Sequence, residues 1–260
     1  MSSAEILAAE SAAVAAAKIA MKYFRAGLDI KYKDIGSLRN MVTQADTECE
    51  KKIKEVISRE FPLHSFLGEE GGQDGDSENV WVIDPIDGTT NFVHGLDYFS
   101  HSIALVKKGV PVCGVVYNPA RNLLYSAQKG KGAFLNKKKI LVSKVDFIEK
   151  SLLLSGFPYE GGAMEEKTMK SMASLRGRCQ DLRRFGSASL DFCAVAEGSC
   201  DAYFEYVLQQ WDVAAGILIA SEAGGKVTDI NGNDALVSSR HFLVSNGLIH
   251  ESVLERLERV

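Results

Sequence analysis

Several kinds of chemistry are missing from this sequence. Its five cysteines (Cys49, Cys113, Cys179, Cys193, Cys200) are scattered, odd in number and never spaced Cys-x-x-Cys. That argues against a zinc site or a disulfide framework and for free thiols in a reducing compartment. The histidines His64, His94, His101, His241 and His250 show no His-Glu-x-x-His spacing and no neighbouring cysteine, so structural or surface roles are expected for them. There is no Gly-x-Ser-x-Gly elbow, no Walker loop and no Gly-x-Gly-x-x-Gly fingerprint. No Asn-x-Ser/Thr sequon occurs, and no apolar run approaches the roughly 20 residues that a membrane-spanning helix needs. The Ala-rich N-terminus carries Glu5 and Glu10 and no basic run before them, which argues against a signal peptide. These absences predict a cytoplasmic protein with no membrane partner.

An excess of basic charge is also missing. Thirty Lys and Arg stand against 34 Asp and Glu, for a net charge of −4. Proteins that bind nucleic acid usually present a basic face, so no nucleic-acid partner is expected. The one basic run, Lys137-Lys138-Lys139, lacks aromatic partners and reads as the decoration of a hairpin turn.

What is present is ordinary for a soluble globular chain: 46% apolar and 25% charged residues over a length of 260. That length suffices for one large domain or two intimately packed halves. Residues 3–24 are rich in Ala and predict a long helix ending at Gly27. Residues 46–61 predict a second amphipathic helix, closed by Pro62. Between residues 101 and 142, strand-like runs separated by Gly and Asn-Pro punctuation predict an antiparallel meander. From residue 150 strands and helices alternate, which suggests a sheet covered by helices. No Pro- or Ser-rich linker marks the change. The reading is therefore a single compact unit over 1–260, with a soft division into 1–145 and 146–260.

The chemistry concentrates at residues 80–92. An apolar run, 80–83, has the length and β-branched content of a buried strand and is expected to stop at Asp84. Pro85 cannot donate to a ladder, and Gly88 allows close backbone approach. Asp84 and Asp87 thus sit at a strand end, beside a helix start opened by Thr89. Carboxylates attract a cation and helix N-termini attract an anion, so the corner suits a metal ion carrying a phosphate. Glu69 after the strand 65–67, and Asp212 before an apolar helix, share this local grammar. For any one of these carboxylates alone, an N-cap or turn role is the commoner outcome. Asp84 and Asp87 together are harder to explain so, because clustered carboxylates repel unless a cation neutralises them. Oxygen-only ligation favours Mg²⁺, Mn²⁺ or Ca²⁺. The segment 229–234 hints at a calcium loop, but its Gly is misplaced and Arg240 stands where the closing Glu belongs, so it reads as a turn.

Gly68-Glu69-Glu70, Asp84-Pro85-Ile86-Asp87-Gly88-Thr89, Trp211-Asp212-Val213-Ala214-Ala215-Gly216, Gly156-Phe157-Pro158 and Arg184-Phe185-Gly186-Ser187-Ala188 come in the order of the inositol monophosphatase family. The chain resembles that family over nearly its whole length. The resemblance implies an α/β (α+β) fold, a layered αβαβα sandwich of the sugar-phosphatase type. It implies a lithium-sensitive, Mg²⁺-dependent hydrolase that uses two to three ions, acts on a small phosphorylated polyol and forms a homodimer. A first ion would lie on Glu69, Asp84 and the Ile86 carbonyl, a second on Asp84, Asp87 and Asp212, and a third on Glu69 and waters. Phosphate would rest on the backbone N–H groups of Gly88 and Thr89. The Thr89 hydroxyl, bonded to Asp46, would orient the attacking water. Glu205, with Gly186, Ser187 and Ala188, would line the alcohol pocket together with Asp87 and Asp212. Alone, Glu205 would read as a solvated strand end and Ser187 as a helix cap.

There are departures from the family pattern. Lys33 and Arg39 flank the place of a family loop lysine, Asn40 stands where Asp is common, and Lys137 replaces a hairpin Gly. The leading expectation is hydrolysis of myo-inositol monophosphate. The alternatives are fructose 1,6-bisphosphate, histidinol phosphate or adenosine 3′,5′-bisphosphate on the same fold, or a non-catalytic interaction protein.

Overall fold

The structure is a computed structural model that describes residues 3–26, 30–32, 41–159 and 161–260. Gly27, Lys33, Arg39 and Asn40 lie outside the described residues.

Helix α1 (Ala4–Tyr23) begins at Ser3, whose Oγ accepts from the Ile6 N–H at 3.4 Å. Its fully buried alanines, Ala9, Ala12, Ala13, Ala16 and Ala20, form a smooth stripe that joins one core with Ile53 and Ile57 of the second helix. Small side chains at a helix crossing let the axes come close. Strands β1 (Ile30–Tyr32) and β2 (Met41–Thr43) pair antiparallel and lead into α2 (Gln44–Glu60).

The first sheet takes β3 (Ser65–Gly68), β4 (Gly72–Asp74) and β5 (Asn79–Asp87). The short helix α3 (Thr89–Val93) follows, then β6 (Ser100–Lys107), β7 (Val110–Asn118), β8 (Leu123–Gln128), β9 (Ala133–Leu135) and β10 (Lys138–Ile140). The spatial order is β10-β9-β8-β7-β6-β5-β3-β4, with β3 and β5 parallel and the other neighbours antiparallel, so the meander forms as expected. Two differences from the sequence reading have clear causes. Residues 71–79, whose Gly, Asp and Ser content predicts a surface loop, contain β4, an exposed edge strand with no apolar face to announce it. Strand β5 does not stop at Asp84 but continues to Asp87 through a bulge, where its register with β6 shifts. The unbroken apolar run in β5 reflects burial on both faces. Trp81 and Ile83 enter the core under α1 and α2, and Val80 and Val82 enter the opposite one.

The second half supplies β11 (Leu152–Ser155), α4 (Gly162–Leu175), β12 (Asp181–Arg183), α5 (Ala188–Ala196), β13 (Ala202–Tyr206), α6 (Gln210–Glu222), β14 (Lys226–Asp229), β15 (His241–Ser245) and α7 (His250–Leu254). Its mixed sheet runs β12-β11-β13-β15-β14. Leu154, Tyr203, Phe242 and Val244 share a core with α5, α6 and one face of the first sheet. Leu153, Phe204 and Leu243 face α4 and α7. The layers are therefore α1/α2, first sheet, α5/α6, second sheet, α4/α7, the αβαβα sandwich expected. Gly216 lets the two middle helices cross closely, because a Cβ there would stand 2.7 Å from the Cβ of Phe192.

The β9–β10 turn carries a local strain. Asn136 and Lys137 have φ of +48° and +67°. Asn tolerates this left-handed conformation, whereas Lys pays for its Cβ. Lys137→Gly is expected to raise stability by about 1 kcal/mol, read as a higher urea midpoint at unchanged slope.

Candidate active site

The site grows from the bulge in β5. Asp84 Oδ1 accepts from the Ile86 N–H at 3.0 Å, which turns the chain at Pro85. The Pro85 carbonyl takes a hydrogen bond from Nδ1 of His101, on β6. A carbonyl can only accept, so this imidazole carries its proton on Nδ1; burial holds the group neutral, with its pKa lowered to about 4. Gly88 has φ +90°, and a Cβ there would meet the carbonyl oxygens of Gly186 and Tyr98 at 3.1 Å. Glu69 is brought alongside by β3, its N–H donating to the Ile83 carbonyl at 3.2 Å.

Asp87 reaches across to the second half. Its carboxylate accepts from the Ser187 hydroxyl at 2.6 Å, the Ala188 N–H at 3.1 Å and the Ser189 N–H at 2.7 Å. It thereby caps α5 from outside the helix, a favourable place for negative charge. Asp46 and Asp212 have matching local roles. Each is the third residue of its helix and accepts from the N–H of its N-cap, Thr43 at 2.8 Å and Gln209 at 2.7 Å.

All the residues singled out from the sequence except Asp46 line one cavity of about 70 Å³: Glu69, Asp84, Ile86, Asp87, Gly88, Thr89, Gly186, Ser187, Ala188, Glu205 and Asp212. Asp46 stands behind this wall, close enough to Glu69 and Glu70 for their charges to act on it. The expected bond between Thr89 and Asp46 is not made. Thr89 Oγ1 donates to the Ile86 carbonyl at 3.0 Å, and Asp46 accepts from the Thr43 hydroxyl at 2.6 Å. Gly156, Phe157, Tyr159, Arg184 and Leu208 also line the cavity, without having been assigned a role from sequence. Most of them lie in the family-like segments around 156–158 and 184–188, which was the available signal. A larger hollow of about 500 Å³ opens between α1 and strands β8–β9, but among the described residues Glu10 is the only carboxylate that lines it. The chemistry belongs to the smaller one.

The electrostatics of the small cavity are severe. Asp84 is held well above the usual carboxylate range, first by burial and then by Glu69, Asp87 and Asp212, and it hydrogen-bonds with Glu69. Asp212 is raised by burial and by Glu69 and Asp87. Asp87 is raised by burial, against the pull of its Ser187 and Ser189 bonds. Burial lifts Asp46 and Glu205 to about 7 each, with Tyr203 and Arg184 opposing the shift at Glu205. Such a set of oxygen donors fits a hard divalent cation. Among the described residues no three acidic, His or Cys side chains already enclose a metal-sized point.

The family model of the inositol monophosphatase family matches residues 2–260. The chain belongs to the inositol monophosphatase family. It is therefore a member of a phosphatase family whose enzymes work with metal ions. An inositol-1-monophosphatase of Caulobacter vibrioides is 40% identical over 84% of this chain and 87% of its own. The Nus factor SuhB of Pasteurella multocida is 42% identical over 85% of this chain and 84% of its own. The structure of the Thermotoga maritima IMPase superposes with a TM-score of 0.87 at 34% identity, covering 95% of this chain and 93% of that one. The sandwich described above is thus the family's fold.

Within this family site, Gly156 and Glu205 are locked together. A Cβ at Gly156 would fall 1.8 Å from Glu205 Oε2. Gly156→Ala is expected to push the Glu205 carboxylate from its seat. If Glu205 contacts the substrate, steady-state kinetics should show KM for a phosphate ester raised about ten-fold, the loss of one charged hydrogen bond. An unchanged KM would remove Glu205 from substrate contact.

Proposed function

We propose that this protein hydrolyses a small phosphorylated polyol, myo-inositol monophosphate foremost, with Mg²⁺ as its cofactor. The observation that carries the reading is the convergence of Glu69, Asp84, Asp87 and Asp212 with Thr89 and Glu205 on one cavity. Glu69, Asp84 and the Ile86 carbonyl would hold one ion, Asp84, Asp87 and Asp212 a second, and Glu69 with waters a third. Bound there, the metal supplies a more acidic attacking water and a neutralised leaving alkoxide.

The chain's own groups do the rest. Ser187, Ser189 and the start of α5 hold Asp87 in one orientation. Thr89 spends its single proton on the Ile86 carbonyl, so towards the cavity its hydroxyl can only accept. That fixes how a water beside it points. Gly88 and Thr89 line the cavity, where their backbone N–H groups would hold the phosphate. Glu205 stands across the cavity, with Arg184 near enough to favour its ionised form. There it accepts hydrogen bonds from the hydroxyls of the leaving alcohol. No protein nucleophile is required. The carboxylates come from the first half and from α6, so the two halves act as one unit on this reading.

The same machinery would serve fructose 1,6-bisphosphate, histidinol phosphate or adenosine 3′,5′-bisphosphate. A partner-binding role is a second reading, favoured by the relative named as a Nus factor. Phosphate release from a panel of these esters, with Mg²⁺, after chelation and with added Li⁺, separates the readings. Mg²⁺-dependent turnover led by inositol monophosphate, and inhibited by Li⁺, is expected. Full activity after chelation, or no turnover on any ester, would sink it.

A further inference from the structure

Behind Glu69 lies a buried carboxylate that the reaction leaves unused. Glu50, on α2 one helical turn after Asp46, is only 4% exposed. Its Oε2 accepts from the Glu70 N–H at 2.8 Å and its Oε1 from the Gly71 N–H at 3.0 Å. Lys54 Nζ stands 2.8 Å from Oε1 and balances the charge. One side chain thus holds two successive N–H groups of the turn between β3 and β4, the turn on which Glu69 sits. The flanking glycines follow from this. A Cβ at Gly68 would lie 2.4 Å from Glu50 Cδ, and one at Gly71 would lie 2.6 Å from Oε1 and 2.8 Å from Lys54 Nζ. Neither glycine has a positive φ, so backbone conformation does not explain them. The seat of the Glu50 carboxylate does.

We propose that Glu50 is a positioning residue, which clamps the Glu69–Glu70 turn so that Glu69 meets the cation already aligned beside Asp84. The proposal rests on the phosphatase reading above. The physical need is plain. Glu69 and Asp84 are mutually repulsive when ionised, and the turn joins strands of only four and three residues. The two N–H groups that Glu50 holds tie the turn, and Glu69 with it, to α2. The clamp meets that repulsion in advance, so less of the binding energy of the cation goes into ordering the turn.

The test is calorimetric titration of the full chain with Mg²⁺, in parallel with thermal melts without metal. Glu50→Ala and Gly68→Ala are each expected to raise the Mg²⁺ Kd about 10- to 100-fold, the range typical when a residue supporting a metal ligand is lost. The three atoms nearest to a Cβ at position 68 all belong to the Glu50 carboxylate, so with Glu50 gone the double variant should bind Mg²⁺ no more weakly than Glu50→Ala alone. Glu50→Gln, which keeps one acceptor oxygen, should fall between wild type and Glu50→Ala. Gly68→Ala removes no buried charge partner, and carries the test if Glu50→Ala is recovered unfolded. A merely structural role would lower the melting temperature of the variants while leaving their Mg²⁺ Kd within two-fold of wild type, and that result overturns the proposal. Glu69→Gln is the reference. If it binds Mg²⁺ as wild type does, Glu69 is no ligand and both readings fall; if it binds weakly while Glu50→Ala binds normally, the clamp alone falls.

Discussion

Asp212→Asn is expected to lower kcat about a thousand-fold at saturating Mg²⁺, the equivalent of roughly 4 kcal/mol of transition-state stabilisation. The metal-free protein should nevertheless melt no lower than wild type. Two features of the structure give this opposition. Asp212 lines the same cavity as Glu69, Asp84 and Asp87, and its pKa is raised first by desolvation and then by the charges of Glu69 and Asp87, so losing the charge relieves both. Its helix-capping bond survives, because an Asn oxygen can still accept from the Gln209 N–H. Phosphate-release kinetics read the first half of the prediction, and thermal melts without Mg²⁺ read the second. A variant with wild-type kcat would place Asp212 outside the reaction, and one melting well below wild type would make it a structural acid.

The stabilisation that Mg²⁺ confers should grow with pH. Asp84, Asp87 and Asp212 have raised pKa values through burial, with Asp46 and Glu205 at about 7. The metal-free folded chain therefore holds more protons than the unfolded chain between about pH 4 and 7. Its stability falls as pH rises through that window. A cation needs the ionised carboxylates and displaces those protons, so its affinity rises over the same range. The buried imidazoles act in the opposite sense on the acid side. His101 and His250 are lowered to about 4, so the unfolded chain binds their protons first and stability falls as pH drops below about 6.5. Calorimetric melts should show a larger Mg²⁺-induced rise in Tm at pH 8 than at pH 6. An equal or smaller rise at pH 8 would contradict the burial of these carboxylates.

What the sequence disclosed and what it withheld divide along a physical line. Asp84, Asp87, Gly88 and Thr89 were legible because strand end, bulge and turn are local, and their composition announces them. Both sheets could be anticipated from apolar runs such as 80–83, because burial on two faces leaves a continuous hydrophobic signature. Strand β4 could not, since an edge strand without an apolar face looks like a loop. Glu50 beneath the Gly68–Gly71 turn, His101 under Pro85 and Gly156 against Glu205 were also hidden. Each is a contact between elements distant in the chain, and nothing local distinguishes a Glu on a charged helix from one that holds a turn. The Thr89–Asp46 bond shows the converse error. Both residues share a region, but nearer partners, Ile86 and Thr43, claim their hydrogen-bonding groups.

Asp87 bears differently on how this protein could change over generations. Its carboxylate both faces the cavity and caps α5, every residue of which is buried in the middle layer. A substitution there strikes chemistry and scaffold in one step, so no lineage can trade activity against robustness at that position by small moves. Asp212, whose cap an amide can imitate, leaves such a path open. A descendant that kept the sandwich but abandoned hydrolysis would more readily lose Asp212 first and retain Asp87 as a relic of the helix it supports.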